Sequence, residues 1–209
     1  MKKRTRLGFA GLLTIGIAAL GTTLTGAATA TDAKEAPKAK IGEKAPDFTL
    51  TCYDGKEHSL SELTKSGKIV VLEWFAYACP FVIKHYSDTE NSTVNKLVEE
   101  FKNDDVVFLA INSANPSHSY SNREQNIEHH SKWKMAHPIL VDSDGRVGRM
   151  YEARTTPHMY IIDKDGVLKY AGALDNDRSA RSIGETNYVR QALREILAGE
   201  SVTVSETRP

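Results

Sequence analysis

Lys68 to Trp74 reads Lys-Ile-Val-Val-Leu-Glu-Trp, and a short link then leads to Cys79-Pro80. A near-continuous β-branched and apolar run suits a central strand covered on both faces. Proline is favoured at the first helical position, so a helix is expected to open at Cys79-Pro80. At such an opening several backbone N–H groups are unpaired and the helix dipole is positive. Both favour thiolate over thiol, which makes Cys79 a candidate nucleophile rather than an inert buried cysteine.

The rest of the chain supplies layers for that strand. Asp47 to Thr51 alternates like a half-buried strand, and Asp54-Gly55 behind it signals a hairpin. Ser59 to Ser66 reads as a short polar helix. In the helix after Cys79, Phe81, Val82 and Tyr86 would form the apolar side. Val94, Leu97, Val98 and Phe101 have helical spacing. Asp105 to Ile111 is a second buried-type strand, followed by a loop over 112–120. Ser121 with Glu124 suggests a capping box opening a helix to about Lys134. His137 to Val141 reads as a short strand and Arg146 to Glu152 as a helical turn or two. Met159 to Ile162 and Val167 to Ala171 form a hairpin across Asp163-Lys-Asp-Gly166. Val189, Ala192, Leu193, Ile196 and Leu197 mark a final amphipathic helix, with Gly199 as its stop. Strands joined through helices imply parallel pairing with right-handed crossovers, and the last hairpin adds antiparallel strands. The expected architecture is an α/β three-layer sandwich: a mixed central sheet, helices on both faces and an N-terminal β-hairpin.

The ends read differently. Lys2, Lys3, Arg4 and Arg6 precede an apolar run from Leu7 to Leu20, and Ala28-Thr29-Ala30 has the small-x-small form of a cleavage site. Residues 1–30 are therefore read as a signal peptide, with an uncleaved anchor as the alternative. The apolar run is shorter than the roughly 20 residues a spanning helix needs. Residues 31–43 read as a flexible linker and 200–209 as a polar tail, leaving 44–199 for the domain. The whole chain has 209 residues and balances 27 basic against 27 acidic residues. Four of the basic ones lie in residues 1–30, so 23 face 27 in the remainder. A periplasmic or secreted, mildly acidic protein follows, in a compartment where a thiol meets disulfide chemistry. The body holds no Lys/Arg run, which argues against a nucleic-acid partner. Two cysteines, Cys52 and Cys79, are too few for a disulfide scaffold or a thiolate zinc site.

The segment EWFAYACPFVIKHY, followed much later by TTPHMYIIDKDGVLKYAG, resembles the thioredoxin superfamily. The likeness is greatest to its redoxin branch, the alkyl hydroperoxide reductase/thiol-specific antioxidant (AhpC/TSA) type. APDFTL with DGKEHSLSEL is similar to the amino-terminal hairpin of that branch, and HPILVDSDGRVGRMYEA to a stretch farther along. The resemblance spans about residues 41–198. It implies a cis-proline at Thr156-Pro157, facing the helix-opening cysteine and presenting backbone to an extended substrate. It makes Cys79 the catalytic residue and Thr156, Pro157 and Pro80 substrate-side residues. Glu73, six residues before Cys79, occupies the position of a buried acid that moves protons to and from thiols. The alternative is a solvated glutamate at the strand's end.

The departures from the family pattern are specific. Where thioredoxins carry a second cysteine stands Val82, and where peroxiredoxins carry the proline and threonine before the reactive cysteine stand Leu72 and Ala76. Self-contained dithiol exchange is thus excluded at this motif, the usual peroxide-binding network is incomplete, and no resolving tail cysteine is expected. Cys52 is either a small strand residue or a partner for Cys79. Lys84 reads as solvated surface and His85 as a neighbour of the site. The reading that follows is an exported thiol-redox protein, a peroxiredoxin-like antioxidant or thiol–disulfide oxidoreductase. Its partners would be a peroxide or protein disulfide and an external thiol reductant. No cofactor and no metal site is expected. The Asp142-x-Asp-Gly and Asp163-x-Asp-Gly segments read as turns rather than calcium loops. A binding module that keeps the fold without the chemistry is the competing class, and a copper chaperone a third.

Overall fold

A computed structural model describes residues 37–209. The expected signal peptide and the first part of the expected linker lie outside the described residues. One seven-stranded sheet runs in the order β2-β1-β5-β4-β3-β6-β7. Its strands are β1 (Thr49–Cys52), β2 (Glu57–Ser59), β3 (Ile69–Trp74), β4 (Val106–Asn112), β5 (Ile139–Val141), β6 (His158–Ile162) and β7 (Leu168–Gly172). The helices are α1 (Leu60–Lys65), α2 (Pro80–Tyr86), α3 (Thr93–Glu100), α4 (Arg123–Lys132), α5 (Arg146–Met150) and α6 (Tyr188–Leu197). β3 pairs in parallel with β4, and β4 with β5, while β6 runs antiparallel to β3 and to β7. The N-terminal hairpin joins the sheet through β1, antiparallel to β5. This is the expected thioredoxin-like sandwich.

The central strand shows why both faces are covered. All six residues of β3 are buried. Ile69, Val71 and Phe75 meet Val82 and Tyr86 of α2, Leu97 of α3 and Leu193 of α6 on one face. Val70, Leu72 and Trp74 meet Leu60 of α1 and Val147, Met150 and Tyr151 around α5 on the other. Each such side chain contributes about 1.5–3 kcal/mol by leaving water. Asp142 anchors α5 to the sheet. It accepts from the Val147 and Gly148 N–H groups and, at 2.6 Å, from the Ser113 hydroxyl, which itself accepts from the Trp74 indole. Asp163 likewise accepts from the Asp165 and Val167 N–H groups, so both Asp-x-Asp-Gly segments are turns.

Several local expectations are corrected. Asn122, not Ser121, caps α4: its side chain accepts from Gln125 N–H at 2.8 Å, because the Ser121 hydroxyl already donates to Pro116 and His118 carbonyls. Phe81 is 41% exposed, so the apolar side of α2 is Val82 and Tyr86 without it. At the ends, Ala39 and Gly42 donate to the carbonyls of Met150 and Leu168. Thr207 donates to the Ala171 carbonyl and accepts from Ala173 N–H, and Ser205 accepts from Ala171 N–H, so the C-terminal segment runs along β7. Gly172 makes this close approach feasible, since a side chain there would meet the Thr207 backbone at 2.7 Å.

Candidate active site

β3 ends at Trp74, and the chain turns over residues 75–78 to reach Cys79. Cys79 is the N-cap of α2, with Pro80 at the first helical position. Its carbonyl accepts from the Val82 and Ile83 N–H groups at 2.9 Å. The side chain makes no cap hydrogen bond. Instead the sulfur donates to the Thr156 carbonyl at 2.9 Å, across 77 residues of sequence. The Thr156–Pro157 bond is cis. Cys79, Thr156 and Pro157 are half-buried and Pro80 is exposed, so the sulfur and the prolyl turn share one accessible edge.

Glu73 faces the α2 side of the sheet and is 2% exposed. It is no solvated strand-end residue. Tyr86 donates its hydroxyl to Oε2, and His137 Nε2 lies 3.2 Å from that hydroxyl and 3.8 Å from Oε2. Burial and the Glu73 carboxylate together push the Tyr86 phenol well above its ordinary range. Glu73 Oε1 and His137 Nδ1 have no hydrogen-bond partner.

Lys84 is not surface: its side chain is 6% exposed and pairs with Asp175, 3% exposed, at 3.3 Å. Its ammonium also donates to the Asp177 carbonyl. The reason lies in the segment after β7, which folds over α2 and brings Asp175 down to it. His85 is buried beside the pair, Nε2 4.0 Å from Asp175. Burial pushes His85 down to about 4, with Lys84 adding to the fall and Asp175 opposing it.

Cys52 and Cys79 are both free. Cys52 donates to Asp54 and to the Lys56 carbonyl, the bonds of a strand residue feeding its own turn. β1 stands three places from β3 in the sheet, which is roughly 14 Å at normal strand spacing and beyond disulfide reach. Among the described residues no cluster of His, Cys, Asp or Glu is arranged to hold a metal, and no helix is long and apolar enough to cross a membrane.

The AhpC/TSA family model matches residues 41–171, well over half of the chain. The chain belongs to the AhpC/TSA family. It is similar to the "Thiol-disulfide oxidoreductase ResA" of Geobacillus kaustophilus, 30% identical over 171 residues, 81% of this chain and 88% of the relative. A crystal structure of an uncharacterised conserved protein from the same organism superposes with a TM-score of 0.70, at 29% identity over 80% of this chain and 87% of that one. A putative thiol:disulfide interchange protein DsbE from Chlorobium tepidum shares the fold at TM-score 0.56 and 21% identity, over 77% of this chain and 98% of that one. This AhpC/TSA-family chain is therefore a thioredoxin-fold protein of the thiol–disulfide oxidoreductase-like kind.

Residue-by-residue reading missed three parts of the site. Tyr86 looks like a core aromatic in the sequence, and His137 one of several scattered histidines. Asp175 is 91 residues from Lys84. Each is a partner across the sheet or a loop, where sequence spacing carries no signal. The apolar neighbours of Lys84 on α2 were the sole hint that it lies against protein.

Proposed function

We propose that this chain is an exported thiol–disulfide exchange protein that works through Cys79 alone and depends on an external thiol to finish each cycle. The observation that carries the reading is the Cys79 sulfur, half-exposed at the opening of α2 and 2.9 Å from the carbonyl that precedes a cis-proline. An incoming disulfide in extended backbone would pair with Thr156 and lie against Pro157 and Pro80. Its sulfur would then face Cys79. The thiolate attacks, one thiol leaves, and a mixed disulfide remains on Cys79. Glu73 is the buried acid of the cycle. Tyr86 fixes one of its oxygens, and the unpartnered Oε1 is the oxygen that accepts or returns a proton. Val82, fully buried in the thioredoxin position of the second thiol, supplies no internal attack. Export is supported by the basic start, the apolar run from Leu7 to Leu20 and Ala28-Thr29-Ala30.

Family membership favours one second reading, a thiol-dependent peroxidase. Against it, Leu72 and Ala76 are buried and apolar where a peroxide would need hydrogen-bond partners. One experiment separates the two. Full-length protein is mixed with a peptide disulfide or with hydrogen peroxide and a sulfenic-acid probe, and adducts are read by mass spectrometry. The expected result is a mixed disulfide on Cys79, absent from C79S, that forms faster than the sulfenic acid. Faster sulfenic acid formation would make the protein a peroxidase. Labelling in neither arm would leave a binding module.

A further inference from the structure

A cavity of about 470 Å³ is lined in part by Thr156 and Pro157. Phe81, Lys84 and His85 of α2 form one wall. Ala173 to Arg178 form a second, and Thr207 to Pro209 a third. Its volume is within the roughly 300–1,000 Å³ range of small-molecule sites. Cys79 is not itself in the lining, but Thr156 is, and its carbonyl accepts from the Cys79 sulfur at 2.9 Å, so one residue joins the cavity to the reactive atom.

Charge gives the ligand's chemistry. The two acidic side chains of the lining already have donors. Asp175 accepts from Lys84 and from the N–H groups of Asp177 and Gly184. Asp177 accepts from Ser179 N–H and from the Ser182 hydroxyl, which hold it down at about 2. Arg178 and Arg208 are exposed on the rim and have no acidic partner among the described residues. His85, in the α2 wall, is 2% exposed, and its Nδ1 has no hydrogen-bond partner. Phe81 offers an apolar face at the mouth.

We infer that this cavity binds a small thiol bearing carboxylates, and that this thiol is the external partner of Cys79. The inference rests on the exchange reading above and deepens it. Written for a substrate disulfide R′–S–S–R′, Cys79 thiolate attacks one sulfur. The S–S bond breaks, R′–S⁻ leaves, and the other R′–S stays on Cys79 as a mixed disulfide. The small anionic thiol R–SH, seated with its carboxylates toward Arg178 and Arg208, gives up its proton and attacks the R′ sulfur of that adduct. R–S–S–R′ leaves and Cys79 returns as thiolate. The net change is R′–S–S–R′ plus R–SH giving R′–SH plus R–S–S–R′. One R′ sulfur gains what the R sulfur loses.

The test has two arms, both on full-length protein. In the first, C79S is titrated with S-methylglutathione, which carries two carboxylates and no reactive thiol, and with its diethyl ester. The expected result is saturable binding of the acid that weakens about tenfold in R178A, a further tenfold with R208A added, and about as much on esterification. Both arginines are exposed and unpaired, so their removal leaves the fold intact. No binding, or binding indifferent to these charges, would overturn the inference. In the second arm, wild-type protein meets neutral hydroxyethyl disulfide, and the Cys79 adduct is weighed. An adduct with a failed first arm removes the pocket inference and keeps the exchange chemistry. No adduct removes the exchange reading and this inference with it.

Discussion

Acid should unfold this protein through two buried histidines, and the size of the effect follows from where they sit. His158 follows the prolyl turn, 8% exposed, with its Nδ1 3.1 Å from the Tyr160 hydroxyl. Burial pushes it down to about 4 from an ordinary 6.5, with Arg154 adding to the shift. A folded value below the unfolded one means that the unfolded chain binds the proton first. Stability is therefore full above about pH 6.5 and is lost as pH falls toward 4. Between pH 7 and 4.5 one such histidine costs about 2.4 kcal/mol. That corresponds to roughly 5–10 °C in Tm for a chain of this length. His85, also at about 4 for the same cause, adds a loss of the same sign. The assay is urea unfolding at pH 7, 5.5 and 4.5, followed by tryptophan fluorescence, on wild type and H158N. The variant is less stable at pH 7 through lost packing, so the comparison is of slopes. Over that range H158N should lose about 2.4 kcal/mol less than wild type. Equal slopes would show that His158 is protonated in the folded protein and that the burial argument is wrong.

Three further outcomes are expected. Y86F leaves the buried Glu73 carboxylate without its donor, which should cost about 1–3 kcal/mol in chemical denaturation and slow Cys79 exchange; unchanged stability would mean that water replaces the hydroxyl. G172A drives a methyl into the Thr207 backbone at 2.7 Å, so the segment along β7 should detach and be clipped by protease faster than in wild type. V82C restores a second thiol one helical turn from Cys79. Air oxidation should then remove two titratable thiols, in a C52A background as well, and turnover should lose its dependence on added thiol.

The fold was legible because its strands differ in kind. β3 and β4 are dense apolar runs, so each reads as a strand covered twice, and the Asp-Gly and Asp-Lys-Asp-Gly turns fix the two hairpins. The placement of the candidate residues was legible for a similar reason: Cys79-Pro80 marks a helix opening and Thr156-Pro157 a turn before a strand. What failed was anything decided by a partner far along the chain. Phe81 reads as part of the apolar side of α2 by its residue type, yet it stays 41% exposed. Lys84 looks solvated until the loop after β7 lays Asp175 against it. Ser121 matches a capping box, yet its hydroxyl is spent in the turn before α4 and the next residue takes the cap. The C-terminal segment is polar by composition, and its docking depends on backbone hydrogen bonds, which composition does not encode.

If Cys79 works as proposed, the arrangement around it sets the order of events. Val82 is packed against Phe75 and Tyr86 with no exposure, so the second-thiol position is filled by core. Cys52 is three strands away and bonded into its own turn. Under the proposed exchange no thiol of the described residues would reach a mixed disulfide on Cys79, and its lifetime would be set by the concentration and access of a thiol from outside. In a dithiol site the second cysteine limits that lifetime by proximity alone. Here the same gain has to come from binding. A groove that seats the resolving thiol beside Thr156 raises its effective concentration at the sulfur, while a merely open site leaves the adduct waiting on collision. The dependence of turnover on thiol concentration discriminates the two: saturation at low concentration requires a seat, and a linear rise requires none.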